Sequence, residues 1–172
     1  MKFTVSEIVS VGILSCLVLI GSFINIMLPF ASQGGLVHFG TTAAVIAIIV
    51  FGRRIGVLAG VIGMTLFDIL GGWLIWAPAT ALARFGLGYI MGTIAFLNKK
   101  NGNSIIYNII GLILGGLWMI LIYYVFESFL YDNWIAALGS IPGNISQLIL
   151  AALVGIPCGM LLKKYLKLDN YN

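Results

Sequence analysis

Long apolar runs separated by short polar breaks dominate the chain. A membrane-spanning helix needs about 20 predominantly apolar residues, and glycine, proline and charged clusters mark the breaks between runs. The pattern predicts an all-α integral membrane protein, a single six-helix domain over residues 1–172. The predicted transmembrane helices cover about 6–27, 36–51, 55–70, 78–97, 104–126 and 140–162.

Composition agrees with this prediction. The chain is 61% hydrophobic and 8% charged, whereas soluble domains are about 25% charged. The first apolar run, residues 8–30, exceeds the roughly 7–15 residues of a secretory signal core, so we interpret it as a retained helix. Cys16 and Cys158 lie inside apolar runs without a Cys-x-x-Cys pattern or a partnering histidine, so no metal site or cofactor is predicted.

Charge placement predicts the orientation. The basic residues fall on one side of the six-helix alternation, and Glu127 and Asp132 fall on the other, which is the positive-inside pattern. Both termini are therefore predicted to be cytoplasmic, and the net charge of +4 needs no nucleic-acid partner. The basic residues in question are Lys2, Arg53, Arg54, Lys99, Lys100, Lys163, Lys164 and Lys167.

The segment 65–84 places Asp68 and Arg84 in two apolar helices joined by a Gly-Gly-Trp turn. Charges inside a membrane are costly, and they mark either a functional site or a buried pair. Both alternatives stay open for Asp68 and Arg84. In the predicted orientation the strongly polar side chains lie toward the outer half of the helices, which indicates a pocket open to the outside. A channel would need polar lining along its whole length.

Trp73 and Trp76 follow Asp68 in this turn and are predicted to lie over the pocket, although an interfacial aromatic belt is the simpler explanation for most such residues. Residues 30–35 and 127–134 are predicted to form a lid. Asn144 and Gln147 are three residues apart and share a helix face. The predicted substrate-binding residues are His38, Asp68, Trp73, Trp76, Arg84, Glu127, Asn144 and Gln147.

Small residues one turn apart recur in the inner half of the predicted helices, where they allow helix backbones to approach closely. Gly12 and Cys16 are the pair that could present a groove to another subunit. The chain has no P-loop, no nucleophile elbow and no zinc-protease motif, so we predict no catalytic residues and no enzymatic activity.

Six short helices, a basic tail and the run over residues 11–24 resemble the S component of the energy-coupling factor (ECF) vitamin transporters. In that family two small residues of the first helix contact the coupling protein, and Gly12 and Cys16 occupy the matching places. Residues 35–42, 51–56, 63–68 and 73–78 resemble the branch assigned to hydroxymethylpyrimidine or pyridoxine-type precursors.

The resemblance implies capture of a small water-soluble vitamin in the cytoplasmic membrane of a prokaryote. It also implies a complex with one transmembrane coupling protein and two ATPase subunits, and transport by toppling of the whole S component. Two alternatives stay open: an S component for another vitamin such as pantothenate, and a solitary proton-coupled carrier using Asp68 and His38. A membrane enzyme or a purely structural subunit is disfavoured because no nucleophile and base are paired.

Overall fold

The computed structural model describes residues 3–27 and 36–166. The predicted lid segment 30–35, Lys2 and Lys167 lie outside them. In chain order the elements are α1 Val5–Phe23, β1 Asn25–Met27, β2 Leu36–His38, α2 Gly40–Leu70, α3 Ala77–Ala95, α4 Ile105–Leu130, α5 Trp134–Ala137, α6 Ile141–Leu150 and α7 Ile156–Leu166. A 3₁₀ turn, Leu74–Trp76, leads into α3, and a π-helical segment, Ala151–Gly155, joins α6 to α7.

Helix α2 is a helical hairpin that reverses at Gly52. This residue has φ 83° and ψ 170°, a conformation that is essentially restricted to glycine. A Cβ added at Gly56 would lie 2.5 Å from the Cα of Ile48, and one at Gly60 would lie 3.2 Å from the Cβ of Ala44. The two arms of α2 therefore run antiparallel and in close contact. They correspond to the predicted helices 36–51 and 55–70.

Five helical stretches among the described residues are long and apolar enough to cross a membrane: α1, α2, Leu74–Ala95, α4 and Trp134–Leu166. The prediction of six spans depends on each arm of α2 crossing separately. That count and the cytoplasmic position of both termini stay predictions.

The predicted first and second helices are wrong at their facing ends. Helix α1 ends at Phe23, and Asn25–Met27 pairs antiparallel with Leu36–His38 in a two-stranded ribbon. The Asn25 Nδ2 donates to the carbonyls of Ser22 and Phe23, 3.1 Å away in each case, and thereby satisfies acceptors that the helix end leaves open. Hydropathy alone does not distinguish an apolar strand from another helical turn.

The last two predicted helices also change at their boundaries. Helix α4 extends to Leu130, so Glu127 lies within the helix and not in the loop that follows it. The sixth predicted helix begins earlier, with the short α5, and continues to Leu166. Pro142 lies in the first turn of α6, where its missing N–H leaves no helical hydrogen bond unmade.

Helix α4 shows how the bundle divides its faces. Its buried positions, including Leu112 and Met119, alternate with exposed Ile106, Ile113 and Leu117. The same division holds for α1, where only 17% of the apolar stretch is buried in the protein. Apolar side chains that face outward on several helices are expected when lipid covers the protein.

Glycines bring the helices together, as predicted. A Cβ at Gly111 would lie 2.9 Å from the carbonyl oxygen of Met91, and one at Gly115 would lie 2.6 Å from that of Leu87. Helix α4 therefore packs directly on the backbone of α3. A core of Val45, Ile48, Ile49, Met91, Leu112, Ala151 and Ile156 fills the centre of the bundle.

Lys163 departs from the sequence interpretation. It was expected to be a plain charge at the cytoplasmic surface, but its side chain is fully buried. The Lys163 Nζ donates to the carbonyl oxygens of Ile49, at 3.3 Å, and Asn101, at 2.5 Å. It therefore ties α7 to the hairpin turn of α2 and to the loop before α4.

Candidate solute-binding site

All eight predicted substrate-binding residues line one cavity between the helices. The empty space of the cavity is about 480 Å³ when the part that opens to solvent is included. The structure adds Leu36, Phe67, Thr80 and Tyr123 to the lining. Residues from β2, both ends of the Gly-Gly-Trp turn, α3, α4 and α6 meet here, although they are distant in sequence.

The turn after α2 brings the two tryptophans to the cavity. Gly72 adopts φ +87°, which glycine accepts without strain, and the Trp73 amide donates to the carbonyl of Asp68 at 2.8 Å. The rings of Trp73 and Trp76 pack edge to face, with centroids 5.5 Å apart. The Trp76 Nε1 donates to Glu127 Oε1 at 3.3 Å, which links the turn to α4.

Gln147 organises the polar floor of the cavity. Its Oε1 accepts from Arg84 Nη2 at 3.0 Å and from Thr41 Oγ1 at 2.7 Å, and its Nε2 donates to the carbonyl of Leu36 at 2.6 Å. Arg84 Nη1 also donates to Thr41 Oγ1 at 3.0 Å. One buried amide therefore joins α6 to α2, α3 and β2, and fixes the arginine.

Asp68 and Arg84 are not an ion pair in this structure. Within residues 3–27 and 36–166, no carboxylate oxygen of Asp68 lies within 4.0 Å of the Arg84 guanidinium, whose partners are Thr41, Met119 and Gln147. The described residues leave three buried polar atoms of the lining without a hydrogen bond: Asp68 Oδ2, Arg84 Nε and Glu127 Oε2. Unsatisfied buried polar atoms cost about 1–3 kcal/mol each, so a ligand that satisfies them gains affinity.

His38 offers a neutral donor. Its Nδ1 accepts from the amide of Gly40 at 3.2 Å, so the proton of the neutral ring belongs on Nε2. Burial, and to a smaller extent the charge of Arg84, lowers the pKa of His38 to about 3. The ring lies 5.7 Å from that of Phe67, which forms part of the apolar wall.

Thr80 and Tyr123 were missed as lining residues. Their hydroxyls lie 2.8 Å apart and join α3 to α4. Each precedes a predicted site residue by four positions, Thr80 before Arg84 and Tyr123 before Glu127, and residues four apart share a helix face. That spacing was the available signal.

Gly12 and Cys16 lie on a face of α1 that is turned away from the cavity and from the bundle. A Cβ at Gly12 would meet nothing within 4 Å, and Cys16 is exposed. Their contact with a coupling protein stays a prediction.

The described helices thus enclose a polar and aromatic cavity in which three buried polar atoms have no hydrogen-bond partner among the described residues, as expected of a membrane protein that binds a small solute. The family profile described as "ECF-type riboflavin transporter, S component" matches residues 2–164. The chain therefore belongs to the S components of ECF transporters, which are substrate-binding subunits and imply vitamin uptake.

The chain is also similar to individual proteins. The chain is 31% identical to a UPF0397 protein of Streptococcus pneumoniae strain Hungary19A-6, over 70% of this chain and 68% of that protein. It is 27% identical to an uncharacterized protein of Pyrococcus woesei, over 81% of this chain and 90% of that protein. A solved structure of the S component of a bacterial ECF transporter shares the fold, with a TM-score of 0.70 and 24% identity over 94% of this chain and 98% of that one.

Proposed function

We propose that this chain captures a small water-soluble nitrogen heterocycle from outside the cell, with hydroxymethylpyrimidine or a vitamin B6 vitamer as the first choice. The observation that carries the proposal is a cavity in which aromatic rings lie beside Asp68 Oδ2, Glu127 Oε2 and Arg84 Nε, three atoms that have no hydrogen-bond partner among residues 3–27 and 36–166. The substrates of this class combine a flat ring with hydroxyl, amine and ring-nitrogen groups.

The chemistry of the lining supports this substrate class. The carboxylate oxygens of Asp68 and Glu127 accept hydrogen bonds, so they select ligand hydroxyl or amine donors. Arg84 Nε and His38 Nε2 donate, so they select ring nitrogens or hydroxyl oxygens. Trp73 and Trp76 supply faces and edges on which an aromatic ring packs favourably.

Riboflavin is the second candidate, because the matching family is described as a riboflavin transporter S component. Its three-ring system also presents nitrogen and oxygen acceptors along one edge. Pantothenate, which has no ring, makes no use of the two tryptophans and is the weaker alternative.

The proposal includes the partners and the topology. ECF S components act with the partners of the ECF module, and we take these as one transmembrane coupling protein and two ATPases. We place six spans in the cytoplasmic membrane of a prokaryote with both termini inside, and the face of Gly12 and Cys16 against the coupling protein. Toppling of the subunit would then move the loaded cavity across the bilayer.

A solitary proton-coupled carrier is less consistent with the site. Burial lowers the pKa of His38, which disfavours this ring as a proton-transfer group, and the match of residues 2–164 to the S component family favours dependence on partner ATPases. Uptake by vesicles that contain only this chain, driven by a proton gradient, would favour the carrier over the S component.

Ligand binding to the purified chain tests the proposal. Hydroxymethylpyrimidine, pyridoxine, riboflavin and pantothenate are titrated by isothermal calorimetry, with Trp73→Ala as the test variant. The matched control is Tyr165→Ala, because Tyr165 is an aromatic residue that is 82% exposed on α7 and does not line the cavity. Losing about 1.4 kcal/mol of ring packing weakens binding about tenfold in the test variant alone.

The panel also separates the candidates. Tightest binding of hydroxymethylpyrimidine or pyridoxine supports the first choice, and tightest binding of riboflavin supports the second. Binding of no nitrogen heterocycle, or equal losses in Trp73→Ala and Tyr165→Ala, would overturn the proposed site.

A further inference from the structure

A second groove lies at the other end of the molecule, beside the hairpin turn of α2. The guanidiniums of Arg53 and Arg54 form its basic part, which we call the head of the groove. Val57, Leu58 and Phe85 contribute apolar walls. Arg53 precedes Asp68 by 15 residues on one helical arm, a distance on the order of 22 Å. The groove is therefore separate from the solute cavity.

Arg53 is held in place by three neighbours. Its Nη1 donates to Thr93 Oγ1 at 2.8 Å, and its guanidinium lies 4.7 Å from the ring centre of Tyr89. Gly92 provides the space for its stem, since a Cβ there would lie 2.8 Å from the Cβ of Arg53. A side chain positioned in this way loses little rotamer freedom when it binds an anion.

Arg54 completes the head of the groove. Its guanidinium lies 3.8 Å from the ring centre of Phe3, and its Nη1 lies 3.5 Å from Glu7 Oε1. The side chains of Arg54 and Glu7 are 36% and 27% exposed, and such partly solvated pairs are weak. Counting the described residues alone, two guanidiniums and one carboxylate give this end of the groove a net charge of +1.

We infer that this groove binds an anionic phospholipid, with its phosphate diester on Arg53 and Arg54 and an acyl chain along the apolar walls. A phosphate diester carries one negative charge, which matches the net charge of the head, and guanidinium binds phosphate oxygens through paired N–H groups. Basic pockets between membrane helices are sites for anionic lipid head groups. A zwitterionic head group lacks this charge match. The inference depends on the membrane location of the chain and not on the proposed substrate.

Lipid binding to the purified full chain in detergent tests the inference. Phosphatidylglycerol and phosphatidylcholine with identical acyl chains are titrated and followed by native mass spectrometry. A basic residue near an anionic lipid contributes about fivefold in affinity, so Arg53→Gln lowers phosphatidylglycerol binding about fivefold. The double variant Arg53→Gln/Arg54→Gln lowers it roughly 30-fold.

The matched control is Lys99→Gln/Lys100→Gln, which removes the same charge from exposed residues away from the groove. Phosphatidylglycerol binding stays within about twofold of wild type in this control. Arg53→Lys keeps the charge but loses the planar fork, so it binds the lipid more weakly than wild type while unfolding at the same temperature in phosphatidylcholine. This variant decides the question if the double variant does not fold.

Several results would overturn the inference. They are equal binding of both lipids, equal losses in the lysine control, and competition by inorganic phosphate as effective as competition by the lipid. If the Arg53→Gln/Arg54→Gln variant failed to assemble with the coupling protein in lipid-free detergent but kept its lipid binding, the groove would be assigned to that partner instead.

Discussion

Replacing Gln147 with alanine removes the one side chain that joins four elements around the cavity. Its amide makes hydrogen bonds to Arg84, Thr41 and the carbonyl of Leu36 at 3.0, 2.7 and 2.6 Å. Hydrogen bonds between membrane helices average about 0.6 kcal/mol each, so the three contribute about 2 kcal/mol. Arg84 Nη2 then stays buried without its partner, which adds about 1–2 kcal/mol. We expect Gln147→Ala to lower the free energy of unfolding by about 3–4 kcal/mol.

Equilibrium unfolding in detergent measures this loss. Ser146→Ala is the matched control, because Ser146 lies half-buried on the same helix and its Oγ donates locally, to the carbonyl of Pro142 at 2.8 Å. This control changes stability by less than about 0.5 kcal/mol.

A double-mutant cycle with Arg84→Met isolates the contact between Arg84 and Gln147. Residues in one hydrogen-bond network couple by about 0.5–3 kcal/mol, so the double variant loses less stability than the two single variants together. Strictly additive losses, or a loss from Gln147→Ala no larger than that from Ser146→Ala, would refute the proposed organising role of Gln147.

Three further predictions concern separate parts of the chain. The folded-state pKa of His38, about 3, lies below the unfolded value of about 6.5, so the unfolded chain binds the proton first and the stability of the fold falls as pH drops below about 6.5. His38→Gln is therefore expected to flatten the pH dependence of the melting temperature between pH 7.5 and 5. An unchanged slope would contradict this prediction, since the chain has one histidine. Gly52→Ala destabilises the protein by about 1–3 kcal/mol in denaturant unfolding because its backbone conformation excludes a Cβ, whereas Gly12→Ala, in open space on α1, does not. Gly12→Trp and Cys16→Trp leave ligand binding intact and abolish ATP-driven uptake into vesicles that contain the whole complex; uptake that survives both would remove α1 as the docking face.

The candidate site was predictable from the cost of burying polar groups. Asp68 and Arg84 are charged residues within apolar segments, where the cost of burying a charge makes a functional or structural role the expected explanation. Their partners were not predictable in the same way. Arg84 contacts Thr41 and Gln147, which are 43 and 63 residues away in sequence. Local patterns carry no information about such contacts.

Apolar periodicity and charge placement by themselves determined the membrane class, the helical architecture and the set of polar residues that meet in the cavity. The reason is physical: lipid demands long apolar helices, and it makes each buried charge conspicuous. Tertiary structure alone decided that Asp68 and Arg84 do not pair, that Lys163 is buried, and that residues 25–27 and 36–38 form a ribbon. These outcomes depend on which helix faces approach one another, and that approach is determined by packing between segments distant in sequence.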